Sequence, residues 1–435
     1  MAAREPGPRG SLDRRRRPLP GAPDGSLVEG VAAGQLRVDL GLDGDIAVAE
    51  PRLELPPRPD EALLIQRAEE TRAVERRLCA PRAAARWAVL AFGLGLPLAL
   101  GALLATGVLF HGARTGSHFH VLFQLQLFGL NGAFLTGDLF NLFVFFEVLL
   151  IASYGLLLLG GGRDRTRAGL HYVVLNLVGS TLFLFAVGTL YGVLGTLNMA
   201  DLSRTLQEGA DTGLTGMAGA LFLVAFGIKA GMFPLFFWLP AAYHTLPVSV
   251  SAFFAGMLSK VGVYALIRMF TLVFTSSTGV THATLLVVAA LTMLFGVVGA
   301  ASQMEFRRIL SFHIISQVGY MVLGLALFTP LALTGAIVYL VHHIIVKANL
   351  FLVSGLVRYT GGSFNLKAIG GLYKTNGLLA VGFIIPAFAL AGFPPLSGFW
   401  AKLMIIKASL ESQQYLLALL SAAVGLLTIF SMIKI

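Results

Sequence analysis

The sequence predicts an all-α integral membrane protein, a polytopic helical bundle, and two observations lead to that prediction. Of its 435 residues, 56% are hydrophobic and only 12% are charged, whereas a soluble globular chain carries roughly 25% charged residues. Apolar runs of about 20 residues, the length that a membrane-spanning helix requires, recur along most of the chain. The sequence shows no series of roughly ten-residue alternating segments, which would predict a transmembrane β-barrel.

The charged residues divide the chain into two parts near residue 86. Residues 1–86 carry 15 basic residues (Lys and Arg) and 14 acidic residues (Asp and Glu). The much longer stretch 87–435 carries only 17 basic and 8 acidic residues. The first part is a polar tail rich in Arg, Pro, Gly and Ala. It has no apolar region typical of a signal peptide, and we expect it to be disordered. The second part is predicted to be the transmembrane core.

The composition also argues against several classes of function. The net charge of +10 does not indicate nucleic-acid binding, because the basic residues of the core are scattered through loops without interleaved aromatic residues. Cys79 is the single cysteine, so this chain alone holds no disulfide and no iron–sulfur cluster. The histidines lack metal-ligand spacing and no phosphate-binding glycine loop is present, so we expect no metal and no cofactor. Transport by this chain would then depend on an ion gradient or on a partner.

Eleven membrane-spanning helices are predicted from residue 87 onward. Their bounds are 87–110, 118–137, 139–160, 169–194, 217–239, 250–273, 283–303, 309–329, 331–357, 377–407 and 415–434. Short loops on one side of these helices hold ten Lys and Arg residues against two on the other, so the first side is predicted to be cytoplasmic. With this orientation the Arg-rich tail would lie on the opposite, non-cytoplasmic side, which conflicts with the same rule. Either the tail is translocated across the membrane against its charge, or residues 1–86 are not the native beginning of this membrane protein.

Ionisable side chains inside the apolar spans mark the candidate site. A charge in the middle of a bilayer costs at least about 2.5–3.5 kcal/mol, so such residues are retained where they pair or transport. They are Glu147, Lys229, Lys260, His313, His342, His343, Lys347 and Lys402. Asp138 is instead expected to cap the helix that contains Glu147.

Two of the spans are predicted to be broken by proline. A proline at 234 cannot donate a hydrogen bond to the carbonyl of Ala230, so the helix ends one residue after Lys229. The stretch 230–235, AGMFPL, matches 391–396, AGFPPL, at a constant offset of 161 residues. Paired breaks separated by five helices predict two inverted five-helix repeats around a transport site. The prolines of the two predicted breaks are Pro234, Pro394 and Pro395.

The buried ionisable residues form a line that can pass protons. A lysine beside a carboxylate keeps its proton, and in an apolar environment it releases the proton when the pair separates. His343 and Lys347, four residues apart, share a helix face, whereas His342 is expected to point elsewhere. For His313 a hydrogen-bonded core residue and a relay residue are equally good interpretations, and Glu147 has the alternative of merely joining two helices. We predict a charge-pair switch beside a breakable helix, followed by a relay of lysines and histidines.

Four motifs in this line resemble the antiporter-like proton-channel family, which includes the large membrane-arm subunits of respiratory complex I. They are TGDLFNLFVFFEV at 136–148, GIKAGMFP at 227–234, LSKVGVY at 258–264 and RILSFHIISQ at 308–317. Within the family, the first motif and PPLSGFWAK at 394–402 are most similar to the D subunits of multisubunit Mrp-type Na⁺/H⁺ antiporters. The resemblance covers about residues 90–435.

The resemblance implies a fold of about fourteen helices with two inverted five-helix repeats, each containing one discontinuous helix. It also implies roles for named residues: Glu147 and Lys229 as the essential pair, Lys260 as the connecting lysine, His343 with Lys347 as the central relay, and Lys402 at the second broken helix. Lysine at this last position favours the antiporter, because the complex I subunit most similar in sequence typically has glutamate there.

Two departures from the family pattern lead to further expectations. The first two helices of the family should precede residue 87, where the charged tail stands, and a final helix should follow Ile435. We therefore expect residues 1–86 to be a mis-started or frame-shifted reading and the chain to be a fragment.

The leading interpretation is a proton-translocating subunit of a multisubunit monovalent cation (Na⁺)/H⁺ antiporter in the bacterial plasma membrane, with lipid and other subunits as partners. The alternative is a proton-pumping membrane-arm subunit of a complex I-like NADH:quinone oxidoreductase or membrane hydrogenase, without its own redox centre. A third interpretation, an inactive scaffold, is disfavoured by the unbroken set of buried ionisable residues. Whether Na⁺ passes through this chain or through another subunit is left open by the sequence.

Overall fold

The computed structural model describes residues 118–209, 213–275 and 278–435. In these ranges the chain is a bundle of α-helices, eight of which are long and apolar enough to cross a membrane. Two further apolar helices, Phe119–Leu135 and Gly377–Ala391, are shorter. The predicted polytopic helical fold is therefore confirmed. The predicted tail 1–86 and the predicted span 87–110 lie outside the described residues.

The first half of the bundle contains eight helices in the described ranges. They are α1 (Phe119–Leu135), α2 (Leu139–Leu158), α3 (Arg163–Leu194), α4 (Met199–Gln207), α5 (Gly213–Ala230), α6 (Trp238–Tyr243), α7 (Val248–Phe253) and α8 (Ser259–Leu272). A π-helical turn, Phe254–Leu258, joins α7 to α8 in one continuous span of 25 residues. The short helix α4 is amphipathic and buries Met199, Leu202 and Leu206, and it was not predicted from the sequence.

The second half repeats the helix order of the first. It consists of α9 (Thr278–Ser302), α10 (Phe306–Leu327), α11 (Pro330–Gly361), α12 (Leu372–Thr375), α13 (Gly377–Ala391), α14 (Ser397–Glu411) and α15 (Tyr415–Ile433). A backbone bridge joins Asp138 to Asn198, ahead of α2 and α4, and a second joins Glu305 to Asn365, ahead of α10 and α12. The order of elements thus agrees with two repeats, whereas their inverted orientation in the membrane stays a prediction.

Acidic side chains fix where the second helix of each half begins. The carboxylate of Asp138 accepts a hydrogen bond from the backbone N–H of Asn141 at 2.9 Å, so its predicted capping role is confirmed. In the second half, Glu305 accepts from the backbone N–H of Arg308 at 2.7 Å. These caps set the positions of α2 and α10, the helices that carry Glu147 and His313.

The helix bounds differ from the predicted spans mainly at the ends. Helix α3 begins at Arg163 rather than at 169, and α11 continues to Gly361 rather than ending at 357. Hydropathy marks only the apolar part of a helix, whereas the backbone hydrogen bonds continue into the polar region at the membrane surface.

The most buried helices are those that carry ionisable residues. In the span Val248–Leu272, which contains Lys260, every residue of the 18-residue apolar stretch is buried inside the bundle. In Phe306–Leu327, 94% of the corresponding stretch is buried. By contrast, only 33% of the corresponding stretch of Tyr415–Ile433 is buried. Lysine and histidine side chains therefore occupy the centre of the bundle rather than its periphery.

Candidate functional site

The first break separates α5 from α6. Helix α5 ends at Ala230, as predicted, because Pro234 has no N–H to continue the hydrogen-bond pattern. Gly231 adopts a φ of +77°, a left-handed conformation that favours glycine. The indole N–H of Trp238 donates to the Ile228 carbonyl at 3.0 Å. Because this bond satisfies one of the last carbonyls of α5, the break is a defined element rather than a frayed helix end.

The second break, between α13 and α14, has the same backbone hydrogen bonds as the first. The N–H of Met232 donates to the Gly227 carbonyl, and 161 residues later the N–H of Phe393 donates to the Phe388 carbonyl, both at 3.0 Å. Gly392 has a φ of +91°. The predicted match between the two stretches is therefore confirmed at the level of the backbone. The breaks contain the predicted prolines Pro234, Pro394 and Pro395.

Lys229 lies in the last turn of α5 and contacts a serine rather than the predicted glutamate. Its side chain is buried, and Nζ donates to Ser180 Oγ on α3 at 3.0 Å. Nζ also lies 5.1 Å from the centre of the Phe146 ring.

Glu147, on α2, is the carboxylate that interacts electrostatically with Lys229. Within the described ranges, however, no ion pair joins the two side chains. One carboxylate oxygen of Glu147, Oε1, is buried and has no hydrogen-bond partner among the described residues. In the structure the ammonium group of Lys229 therefore has a neutral acceptor, and its pairing with Glu147 stays a prediction.

Lys260 is fully buried at the start of α8, directly after the π-helical turn. Its Nζ donates to the Ala255 carbonyl within that turn and to Ser259 Oγ. A π-turn interrupts the regular hydrogen-bond pattern of a helix and is frequent at functional sites. Two residues further on, Gly262 allows α8 to approach α5 closely, because a Cβ at this position would lie 2.6 Å from the amide nitrogen of Ala230. Lys260 therefore lies beside the first break.

His343 and Lys347 are fully buried on α11, on the shared face that their spacing predicts. Lys347 Nζ donates to the Leu310 carbonyl of α10 at 3.1 Å. Neither ring nitrogen of His343 has a hydrogen-bond partner in the described part of the chain. His343 lies near enough to Lys260 of α8 and to Lys347 for both charges to act on it.

Lys402 lies on α14 and folds back onto the second break. Its Nζ donates to the carbonyls of Leu390 at 2.9 Å and Ala391 at 3.1 Å, the last two residues of α13. These carbonyls form the negative end of the helix dipole, which stabilises an ammonium group. Nζ also lies 4.6 Å from the centre of the Tyr320 ring. Leu390 matches Lys229 at the offset of 161 residues, so at the second break the ammonium group near the end of the first half-helix comes from Lys402 on the following helix.

His313 is fully buried, and its Nε2 forms a hydrogen bond with Ser431 Oγ of α15. Its Nδ1 has no hydrogen-bond partner among the described residues, and Lys347 and Lys402 both interact with it electrostatically. The structure thus gives His313 a packing role at one nitrogen and leaves the other nitrogen available to the line of ionisable residues.

Two residues of the site were missed or undervalued in the sequence. His342 points away from the face of His343, as expected, but its Nδ1 forms a hydrogen bond of 2.8 Å with Ser397 Oγ at the start of α14, so it contacts the second break. Arg268 was overlooked, although a charge inside the predicted span 250–273 is the signal that could have found it. Its guanidinium donates to the hydroxyl of Tyr264 at 2.7 Å.

The predicted site residues fall into two groups of side chains. Glu147 and Lys229 form the first group. The second group comprises Lys260, His313, His342, His343, Lys347 and Lys402, each of which interacts electrostatically with at least one other member. The second group contains three lysines and no carboxylate. Three ammonium groups in an apolar surrounding repel one another, so the group favours incomplete protonation and can take up or release a proton.

The matching family and two relatives in sequence point to the same kind of membrane protein. Residues 136–428 match the family described as NADH:quinone oxidoreductase/Mrp antiporter, TM. Over 322 residues the chain is 53% identical to the D subunit of the Na⁺/H⁺ antiporter of Alkalihalophilus pseudofirmus and 44% identical to that of Bacillus subtilis. Each alignment covers 74% of this chain and 65% of the relative, so the chain spans somewhat less than two thirds of the length of these relatives.

Two solved structures have a similar fold. A chain of the Mrp complex from Dietzia sp. is 36% identical, with a TM-score of 0.75, and the superposition covers 86% of this chain and 76% of that one. A chain of the membrane-bound sulfane sulfur reductase, an archaeal respiratory membrane complex, is 30% identical, with a TM-score of 0.72 and coverages of 77% and 70%. The predicted resemblance to the D subunits of Mrp-type antiporters is confirmed. The chain belongs to the NADH:quinone oxidoreductase/Mrp antiporter transmembrane family.

Proposed function

We propose that this chain is the proton-translocating membrane subunit of a multisubunit Na⁺/H⁺ antiporter in the plasma membrane. Two relatives are named as D subunits of Na⁺/H⁺ antiporters, and one structural neighbour comes from an Mrp complex. The observation that carries the proposal is the series of ionisable side chains at the centre of the bundle, in which Glu147 is half-buried and the lysines and histidines from Lys229 to Lys402 are buried. Other subunits, membrane lipid, protons and Na⁺ are the proposed partners.

The switch in this proposal is the exchange of Lys229 between two acceptors. On Glu147 the ammonium group is held by an opposite charge, which favours the protonated lysine. On Ser180, its acceptor in the structure at 3.0 Å, it has a neutral partner in an apolar environment, which favours release of the proton. The exchange takes place one residue before the end of α5, where the break allows the two half-helices to move separately.

The relay runs from the switch through Lys260, then His343 and Lys347, to Lys402. Because the lysines of this group repel one another when protonated, a proton that enters at one end favours release at the other. His343 can accept a proton at one ring nitrogen and donate from the other, directly or through a bridging water, and neither nitrogen is engaged by a described protein group. In this way the row can pass protons without a metal or a cofactor.

The direct test is Na⁺/H⁺ antiport in everted membrane vesicles with Glu147→Gln and Lys229→Ala, each in the assembled complex. Both variants are expected to lose antiport because neither retains the charge pair. Asp201→Asn on α4 is the control, since Asp201 is an exposed carboxylate that pairs with Arg204 outside the site. Full antiport by either site variant, at normal assembly, would remove the pair from the mechanism.

A second candidate function is proton pumping for a redox partner, and the likeness to a chain of a respiratory sulfane sulfur reductase complex favours it. In that case proton movement requires electron transfer by another subunit. Reconstituted proteoliposomes distinguish the two functions when a Na⁺ gradient is imposed without electron donor or acceptor. Proton movement driven by Na⁺ alone supports the antiporter, and movement that requires an electron donor supports the redox-linked pump.

A further inference from the structure

A cavity of about 490 Å³ lies where three separate parts of the chain meet, away from the Glu147 to Lys402 line. Its lining consists of residues 160–165, which comprise the end of the loop after α2 and the first residues of α3, together with His244 and Thr245 after α6 and Arg307 at the start of α10. The distribution of basic residues predicts that these segments all lie on the cytoplasmic side.

The lining of this cavity is strongly basic. Arg163, Arg165 and Arg307 contribute three positive charges, and Asp164 contributes one negative charge. Burial lowers the pKa of the His244 imidazole below its usual value, so this side chain counts as neutral at pH 7. In the described part of the chain Asp164 forms no ion pair with the arginines. The carboxylate in the lining therefore does not neutralise the three arginines, and Glu305, an ion-pair partner of Arg307 outside the lining, offsets one further charge, so a positive excess is left.

Arg307 is the most constrained of the three arginines, with only 8% of the residue exposed. One guanidinium nitrogen donates to the Leu246 carbonyl at 2.8 Å. Glu305 lies 3.7 Å from Nε, yet Nε has no hydrogen-bond partner among the described residues. Glu305 attracts this guanidinium, whereas Arg358 and Arg165 are near enough to repel it. A buried donor without an acceptor is costly, and an anion bound here would relieve both the repulsion and the missing hydrogen bond.

Arg165 is held at the wall of the cavity by two backbone acceptors. Its Nε donates to the Thr245 carbonyl at 3.1 Å and its Nη1 to the Leu159 carbonyl at 2.7 Å. Helix α3 begins at this wall, and its N-cap residue, Gly162, provides no side chain to cap the first backbone N–H groups. Fixed guanidinium donors and open helix amides from different elements therefore face the same space.

We propose that this cavity binds a phosphate group, carried by an anionic phospholipid headgroup or present as free phosphate. The planar guanidinium group matches the geometry of phosphate oxygens, and arginine is the residue that most often provides such contacts. Basic pockets between membrane helices on the cytoplasmic side bind anionic lipid headgroups. A phosphate held by Arg165 and Arg307 would join the beginning of α3 to the beginning of α10, one from each half of the fold.

The test is ligand binding by the assembled complex, purified in detergent, using native mass spectrometry and thermal unfolding. The probes are phosphatidylglycerol, phosphatidylcholine and inorganic phosphate. Arg163→Gln removes one of the three positive charges of the lining and is expected to weaken binding of the anionic probe by roughly tenfold. Arg167→Gln is the matched control, because Arg167 lies on the same helix turn but does not line the cavity.

A second pair of variants tests the charge without removing a structural arginine. Gly161 has a φ of +64°, and a Cβ at this position would meet no atom within 4 Å. Asparagine and aspartate both tolerate this conformation and have nearly the same shape. Gly161→Asp is therefore expected to weaken binding of the anionic probe by roughly tenfold, whereas Gly161→Asn retains it.

The outcomes separate the two sources of phosphate. Tighter binding of phosphatidylglycerol than of phosphatidylcholine, lost in Gly161→Asp but not in Gly161→Asn, supports a lipid headgroup. Stabilisation by inorganic phosphate with no preference between the lipids, and the same response to the variants, supports a soluble phosphate at the same site. Unchanged binding of every probe in Arg163→Gln and Gly161→Asp, or no binding of any anionic probe, would overturn the proposal.

Discussion

Ser180→Ala removes the hydroxyl that accepts the hydrogen bond from Lys229 Nζ at 3.0 Å. Ser180 is only 4% exposed, so bulk water does not readily replace the lost acceptor. A hydrogen bond to a charged group contributes about 1.5–3 kcal/mol, which corresponds to a shift of roughly tenfold or more in an equilibrium. The substitution therefore disfavours the arrangement in which Lys229 is away from Glu147.

We expect antiport by Ser180→Ala in everted vesicles to slow by roughly tenfold, because the proposed switch then opens less often. Ser180→Thr keeps a hydroxyl and is expected to retain most of the rate. Thr181→Ala is the matched control, since Thr181 is exposed and its hydroxyl donates to the Leu177 carbonyl of its own helix. An unchanged rate in fully assembled Ser180→Ala complexes would refute the role assigned to this serine.

Three further predictions concern the stability of the elements that hold the site, measured by thermal unfolding of the purified complex. Gly398→Ala is expected to destabilise the second break by about 1–3 kcal/mol, because the added Cβ would lie 1.9 Å from the Ala389 carbonyl oxygen. Gly377→Ala, whose Cβ meets no atom within 4 Å, is its control, and equal effects would contradict the steric argument. Asp138→Ala is expected to cost about 1 kcal/mol and Asp138→Asn much less, since only the second keeps an acceptor for the helix cap. Gly231→Ala is expected to cost about 1–2 kcal/mol because of its left-handed backbone, and a neutral result would show that the first break does not require that conformation.

The membrane-spanning helices could be predicted because hydropathy is a local property of the chain. Each predicted span within the described ranges contains a helix, and the spans 217–239 and 377–407 contain the two breaks; the other differences lie mainly at helix ends. The two breaks could be predicted for a similar reason, since proline removes a backbone donor wherever it stands. The matching hydrogen bonds of Met232 and Phe393 follow from the matching sequences of the two stretches.

The partners of the ionisable side chains could not be predicted, because they depend on contacts between distant helices. Ser180 is 49 residues from Lys229 in sequence, and nothing in its surroundings on α3 distinguishes it from other serines in apolar helices. His342 contacts Ser397 across a separation of 55 residues. The π-helical turn before Lys260 has no established sequence signal, although it provides one of the acceptors for that lysine.

The small helix α4 was missed for a different reason. Its sequence, MADLSRTLQ, is amphipathic and too short to span a membrane, so a search for apolar runs passes over it. The periodic burial of Met199, Leu202 and Leu206 is the helical pattern that would have identified it.

The central claim is that Glu147 and the buried lysines and histidines pass protons rather than join helices. It is tested most directly by the rate of Na⁺-driven proton flux in proteoliposomes that contain the complete complex with His343→Ala. His282→Ala is the control, because His282 is half-buried and its Nδ1 contacts the Ala326 carbonyl outside the line of ionisable residues. We predict a loss of about 10²-fold for His343→Ala, the usual contribution of a positioned proton-transfer group, and an unchanged flux for His282→Ala. A normal flux through assembled His343→Ala complexes would contradict the claim.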